Sequence, residues 1–487
     1  MSLKKYLQKD KTYLLLVLIL IASFFIRVYG MQTENLWSDE SVTIFNSHKS
    51  VLHNLIWSFN IGYYPLYHVV LSSWEKIFGL EELGIRFLSL IFGVLSVYMV
   101  FKIGTLMFNK KVGIYSSIIM ALSSFNVFYS QEVRVYTLFI FLSLGSIYFY
   151  LKLIQSNKNK HIVYYLLFTL LMLNTHAPAI FILAFQNLHY LFFVKKNFKK
   201  WIFMQLLLFT FFLPLLLKTL SIIPQYSGLL LIPTPNITTL LRTFYIFSAG
   251  ETFSIEALVI GSLISIGFFL IIFLVLFKDI KNRKIQNSNE IIFLILWLAV
   301  PILLLILQSY VFYSYYFERY IIVSSVALYL LVALSITRFN IKTQKIIMAI
   351  IVILSLMMLY VDFDTNNKGR WKDTADYIKM HKNSEDAVVV HVPNAIFSFA
   401  YYFDSECFQS DDLKNCMSMQ NVYGVRNAEE LPEETTNKEK VFLILYNAKY
   451  VDTEGTLMKY YSENYKLIEE EKYRHIQIFT FKAKTSE

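Results

Sequence analysis

Apolar runs long enough to cross a bilayer recur along the first three quarters of this chain, and they constrain its fold more than any other feature. A hydrocarbon core of about 30 Å needs about 17–25 apolar residues in a helix. Eleven runs are read, near residues 13–29, 83–107, 112–125, 136–153, 162–174, 177–193, 201–217, 255–277, 291–308, 320–336 and 346–360, the third and fifth of them short. Backbone groups in lipid must be satisfied internally, so these spans are helices. With 56% hydrophobic and 16% charged residues over 487 positions, the chain is far from the roughly 25% charged residues of a soluble domain. The expected class is a polytopic α-helical membrane protein with about 11 transmembrane helices.

The net charge of +10 does not point to nucleic acid, because most cations fall between the runs. Lys4, Lys5, Lys9 and Lys11 precede the first run, and Lys110-Lys111 follow the second. Lys158 and Lys160 follow the fourth; Lys195, Lys196, Lys199 and Lys200 follow the sixth. Lys278, Lys281, Arg283 and Lys284 follow the eighth, and Arg338, Lys342 and Lys345 the tenth. Every second connection is basic, which places those connections in the cytoplasm. The amino terminus is then inside and the carboxyl terminus outside. The first run lacks a small-residue cleavage site after it and reads as an uncleaved signal anchor in the cell membrane.

Three outward regions exceed a tight loop. In the first, residues 30–82, SVTIFNSHKSVLHNLIW places Ile44, Val51, Leu52, Leu55 and Ile56 at helical spacing. An amphipathic helix on the bilayer surface fits this pattern. A second helix from Pro65 toward Phe78 follows, with proline at a suitable first-turn position. The second region, 219–251, contains Pro224, Pro233 and Pro235 and reads as an irregular loop, either partly re-entrant or a plain connector. The third is the tail after residue 361, where charged residues become frequent. DAVVVHV, KVFLILY and HIQIFTFK read as strands; WKDTADYIKMHK and TLMKYYSENY read as helices; EELPEETTNKEK reads as a solvated loop. The expected division is a membrane domain over 1–361, including the first outward loop, and an extracytoplasmic α/β domain over 362–487. Cys407 and Cys416 lie in that tail, either as a disulfide or as two free thiols.

Outward acids near the membrane are few. Asp39 and Glu40 stand in NLWSDES, about ten residues past the first run, and Glu132 stands in YSQEVRVY. A carboxylate there can take a proton from an incoming hydroxyl, and two or three can hold a divalent cation. The plainer readings are a solvated or capping acid at Asp39 and a local ion pair of Glu132 with Arg134. Arg134, Arg242 and Arg319 stand against the inside-positive pattern. Arg319, in YYFERY beside Tyr320, can hold a phosphate bidentately; otherwise it snorkels to headgroups, with Glu318 as its partner. His176, in LNTHAP, can meet a phosphate or metal, or simply cap a helix end. Tyr63, Tyr64, Tyr67 and His68, in GYYPLYH, can line a sugar site or anchor the interface.

Taken in order, LWSDES, YYPLYHVVLSSWEKIFG, GIRFLSLIFGVLSVYMVFKIG, ALSSFNVFYSQEVRVYTLF, LNTHAP, FERYIIV and GRWKDTADYI resemble the membrane glycosyltransferases of the GT-C fold. The resemblance is to the branch of protein O-mannosyltransferases and the lipid A aminoarabinose transferase, and it spans nearly the whole chain. It implies an inverting transfer of a sugar from a polyprenyl-phosphate donor to a lipid, glycan or protein acceptor at the outer face. Asp39 matches the family's central acid, as general base or acceptor-orienting group, and Glu40 completes the acidic pair. Glu132, Arg134 and Tyr136 match the second outward motif. Arg319 is the candidate for stabilising the departing phosphate. The resemblance leaves metal use open, with Asp39, Glu132 and His176 as the candidate ligands of a divalent cation. The motif here carries Val133 and Val135 where many members have small or methionine residues.

Two other classes compete. A lipid or solute transporter or flippase places ionisable groups at mid-bilayer and often shows inverted repeats; here the acids gather at the outer ends. A non-catalytic scaffold for the tail would not need eleven spans.

Overall fold

The computed structural model describes residues 3–32, 34–156, 158–226, 232–281, 287–365, 368–446, 452 and 454–484. Arg283, Lys284 and positions 227–231 of the second outward region lie outside the described residues. Two compact units form: Met1–Met31, Leu52–Trp74 and Gly84–Thr365 make one; Gln32–Val51, Glu75–Leu83 and Asn366–Glu487 make the other. This departs from the expected division in one respect. Two stretches of the first outward loop, the first of them carrying Asp39 and Glu40, fold with the tail rather than with the membrane helices.

In the first unit, eight described helices are long and apolar enough to cross a membrane, from Lys11–Val28 to Ile341–Thr365. The pair Lys110–Leu122 and Ser124–Ser130, bent by 62° at Ser123, makes a ninth if it is one span. Asn159–Leu173 and Ala179–Val194 are apolar but shorter. The lipid-facing surface is apolar, with Phe203, Ile255 and Ile266 more than 60% exposed. The interior holds large apolar side chains such as Trp201 and Trp297, with small and polar residues set among them. Gly145 lets the helix Tyr136–Ser156 approach Asn159–Leu173 so closely that a Cβ there would collide with the Phe168 ring. A buried polar chain crosses four helices: Ser146 Oγ to Thr169 Oγ1 at 2.8 Å, Gln186 Nε2 to Ser146 Oγ at 3.0 Å, and Tyr165 OH to Gln186 Oε1 at 3.3 Å. Gln205 Nε2 donates in turn to the Tyr165 hydroxyl at 3.3 Å. Such bonds between helices hold what the hydrophobic effect cannot hold in lipid.

The outward regions differ from their expected forms. The stretch read as one amphipathic helix is two, Ser38–Ser47 and Val51–Asn60, broken at 48–50. Ile44 is fully buried, whereas Leu52, Leu55 and Ile56 are exposed and Asn54 and Ser58 buried. The apolar stripe therefore belongs to the second helix alone. The second outward region is largely helical: Phe198–Tyr226 runs into it, and Ile237–Ala249 follows, capped by Asn236. Tyr310 OH donates to Pro235 O at 2.6 Å and Ser314 Oγ to Pro233 O at 2.7 Å, which ties it to the segment before Arg319.

The second unit is built on a five-stranded sheet in the order β2-β1-β3-β5-β4. Its strands are β1 Ala387–His391, β2 Val422–Val425, β3 Lys440–Tyr446, β4 Tyr465–Tyr473 and β5 Ile476–Ala483. β1 is parallel to β2 (Val388 beside Val422) and to β3 (Val389 beside Leu443); β5 is antiparallel to β3 and β4. Val389, Val441, Leu443, Leu457, Tyr461 and Phe481 form the core. The helices Trp371–His381 and Thr456–Asn464 match the expected ones. β2 and β4 were not expected. The stretch expected as a solvated loop contains a short helix, Glu433–Thr436, with Thr435 buried. Cys407 and Cys416 form a disulfide, with Cα atoms 5.4 Å apart.

Candidate active site

The connection that carries Glu132 is held from below. Arg27, fully buried on the first membrane helix, donates to Ser130 Oγ at 3.0 Å and Ala121 O at 3.1 Å. Gln131 Nε2 donates to Tyr29 O at 2.6 Å and Arg27 O at 3.0 Å. Glu132 is buried in that connection, and Tyr136 begins the next helix.

An aromatic and ionic cluster gathers around that connection within the first unit. Tyr129 and Tyr136 meet edge-on at 4.7 Å; Tyr136 and His176 at 5.8 Å; His176 and Tyr320 at 5.1 Å; and Tyr320 stacks on Tyr315 at 4.9 Å. The Arg134 guanidinium lies 5.9 Å from the Tyr136 ring, and that of Arg319 lies 4.3 Å from Phe317 and 5.7 Å from Tyr320. The Tyr129 hydroxyl donates to Glu251 Oε1 at 2.6 Å and has Arg319 and Glu132 among its charged neighbours. Glu132, Arg134, Tyr136, His176, Arg319 and Tyr320 thus meet in one place.

Charge follows from that packing. His176 Nε2 is buried without a hydrogen-bond partner among the described residues. Burial, with Arg134 and Arg319 nearby, pushes His176 down to about 3. His68 is pushed down to about 3 by burial and then by Arg134. Both imidazoles are neutral at physiological pH, so the positive charge of the cluster sits on the two half-buried arginines. Two guanidiniums bordered by neutral donors and aromatic faces suit a phosphate.

The remaining first-unit residues divide. Tyr63 and His68 share one aromatic group with Trp57, at 5.9 Å from each other. Tyr64 turns away to Phe212, 6.4 Å off, and burial pushes its hydroxyl up to about 12. Glu318 is not the partner of Arg319. It pairs with Arg242 at 3.2 Å, which fixes the 3₁₀ turn Glu318–Ile321 to the helix Ile237–Ala249. Glu251 and Tyr129 were missed. Tyr129 stands in the YSQE motif and could have been found there; Glu251 carries no sequence signal.

In the second unit, Asp39 and Glu40 occupy the first turn of the helix Ser38–Ser47, where the helix dipole favours acids. Glu40 is fully buried and accepts from Trp37 N at 3.4 Å and Lys368 Nζ at 2.8 Å. Asp39 is half-buried, and its carbonyl accepts from Thr43 Oγ1 at 2.7 Å. Among the described residues no group of three or more histidine, cysteine, aspartate or glutamate side chains is placed to hold a metal ion.

Residues 65–218 match the family of dolichyl-phosphate-mannose-protein mannosyltransferases. No curated protein matches by sequence. The chain is similar in structure to ArnT from Cupriavidus metallidurans in its apo state, with a TM-score of 0.60 and 10% identity over 95% of this chain and 97% of that one. The same protein bound to undecaprenyl phosphate gives 0.57 and 9% over the same shares. AglB, the oligosaccharyltransferase of Archaeoglobus fulgidus, in complex with an inhibitory peptide and a dolichol-phosphate, gives 0.54 and 12% over 96% of this chain and 74% of that one.

Proposed function

We propose that this chain, a membrane glycosyltransferase of the GT-C fold, moves a hexosyl or pentosyl group from a polyprenyl phosphate to a lipid, cell-surface glycan or protein at the outer face of the membrane. The supporting observation is the convergence of Arg134 and Arg319 with Glu132, Tyr136, Tyr320 and a neutral His176 at one place in the membrane unit. The neighbouring structures named for undecaprenyl phosphate and dolichol-phosphate point to the same carrier class. In this reading the chain crosses the membrane eleven times. The alternating cations put the amino terminus in the cytoplasm and the tail outside.

The acceptor hydroxyl gives its proton to Asp39 as its oxygen attacks the anomeric carbon. The bond from that carbon to the phosphate oxygen breaks on the opposite face, and the configuration inverts. The phosphate leaves with the electron pair, and Arg319 and Arg134 meet the charge that develops on it. Glu132 orients the reacting groups, and Glu40 supports Asp39. Tyr63 and His68 offer faces for the sugar. An acceptor that is already a phosphate needs no base, and Asp39 then only positions it. The donor's tail stays in the bilayer, so the site opens sideways to lipid.

The test is mass spectrometry of envelope glycans and glycoproteins from cells with and without the gene. A glycan that disappears with the gene is expected; identical envelopes overturn the reading. Asp39→Asn should lower that product by roughly 100-fold or more at normal membrane abundance. Arg319→Ala should lower it by about 100- to 1,000-fold.

A further inference from the structure

Lys368 is a buried cation that the mechanism leaves unused. Lys368 stands at the entry to the tail, 8% exposed, with its Nζ 2.8 Å from Glu40 Oε2 and 3.9 Å from Glu34 Oε2. The same Glu40 oxygen accepts the Trp37 amide at the helix start. One carboxylate oxygen therefore receives both the amide of Trp37, the residue that precedes the acid-bearing helix, and the ammonium of the tail. Ser41 Oγ meets Ser398 Oγ at 3.0 Å one residue further on, and Phe45 packs on Phe397 at 5.0 Å toward the far end.

Burying an ion pair is a poor way to gain stability, since apolar replacement is often neutral or favourable. What such a pair does well is select one geometry. Successive residues on a helix project about 100° apart, so tying Glu40 to Lys368 sets the direction in which Asp39 projects. Apolar packing at Phe45 would hold the helix without fixing that rotation as tightly.

We infer that Lys368 is a positioning residue of the transfer reaction, acting through Glu40 to aim the Asp39 carboxylate. The inference rests on Asp39 serving as the base or acceptor-orienting acid. It makes the tail part of the catalytic apparatus: the residue that aims the acid is 328 positions away from its partner in the chain.

The test uses the full-length protein as Lys368→Met, Glu40→Gln, the double variant, and Glu40→Asp. Three readouts are taken: thermal unfolding, binding of undecaprenyl phosphate, and the envelope product in cells at equal membrane abundance. Each single charge removal takes from a buried charge its 2.8 Å partner and should lower Tm. The double variant should recover Tm and bind undecaprenyl phosphate as the parent does, while its product stays at least tenfold down. A double variant that recovers product to within twofold along with Tm assigns the pair a structural role only and overturns the inference. Glu40→Asp keeps both charges and shortens the acid by one methylene. It should keep Tm and lose product by about tenfold; parental product there also overturns the inference. A parent that makes no product defeats the glycosyltransferase reading itself, and an active Asp39→Asn defeats the role of Asp39.

Discussion

The two units differ in what they expose and in what their interiors hold besides apolar side chains. In the membrane unit the surface is Phe203, Ile255 and Ile266, while Ser89, Ser117, Ser143 and Ser146 are fully buried. In the tail the five residues of β1 are all buried, and β4 shows Lys466, Glu469 and Glu470 to solvent. Lipid is as apolar as leucine, so membrane helices gain little from hiding apolar side chains and associate through close packing and hydrogen bonds. The tail meets water and is held by its apolar core. Large apolar side chains thus fill the interior of both units, and in the membrane unit they cover the outside as well.

That contrast can be broken at its strongest point first. Leu443→Ala empties a fully buried site in the centre of the sheet and should cost the tail about 2–5 kcal/mol. Urea-dependent proteolysis of the full-length protein measures it; a loss under about 1 kcal/mol would mean the tail is not core-driven. Replacing both Cys407 and Cys416 by serine opens a link across a sequence separation of 9 and should cost roughly 2–3 kcal/mol on chain entropy. The same assay, in oxidised and reduced samples of the parent, gives the comparison.

In the membrane unit Gln186→Leu removes the partner of both Ser146 and Tyr165. Helix-to-helix hydrogen bonds in lipid average about 0.6 kcal/mol and reach about 1.7, so the loss should fall well below that of Leu443→Ala. A larger loss in thermal unfolding would sharpen the contrast by showing that the polar chain carries the bundle.

The last effect is one of pH. Neither carboxylate oxygen of Glu75 has a hydrogen-bond partner among the described residues, and burial pushes the group from 4.5 up to about 8. A raised acid holds its proton in the folded chain. Its contribution to stability is complete below about pH 4.5 and is lost as pH rises through about 8. Glu75→Gln stays neutral throughout. Parent and variant should melt alike near pH 4, and the variant should gain steadily up to about pH 8 and then level off. Equal melting at every pH would remove the buried acid from the account.

Legibility followed locality. β1, β3 and β5 were visible because buried strands in a soluble core read as short apolar runs. β4, YKLIEEEKY, was hidden because an edge strand exposed on its outer side carries charges rather than alternation. β2 has four residues, too few for a period. The break at 48–50 was missed because apolar spacing ran through it, although the two halves belong to different units. Within the membrane unit, the clustered residues Glu132, Arg134, Tyr136 and His176 stand in motifs that the sequence displays; Lys368 belongs to the second unit. Glu251 and Lys368 were not legible, since neither stands in a pattern.

The sequence by itself determined the membrane class, the alternation of basic connections and the α/β character of the tail. Each is a property of composition along a short window, and water or lipid reads it directly. Only the tertiary structure decided that Glu318 serves Arg242 rather than Arg319, that Cys407 and Cys416 join, and that Glu40 is held by Lys368. Those pairings depend on which distant surfaces the packed elements bring within about 3 Å, and no window of the chain contains both partners with their geometry.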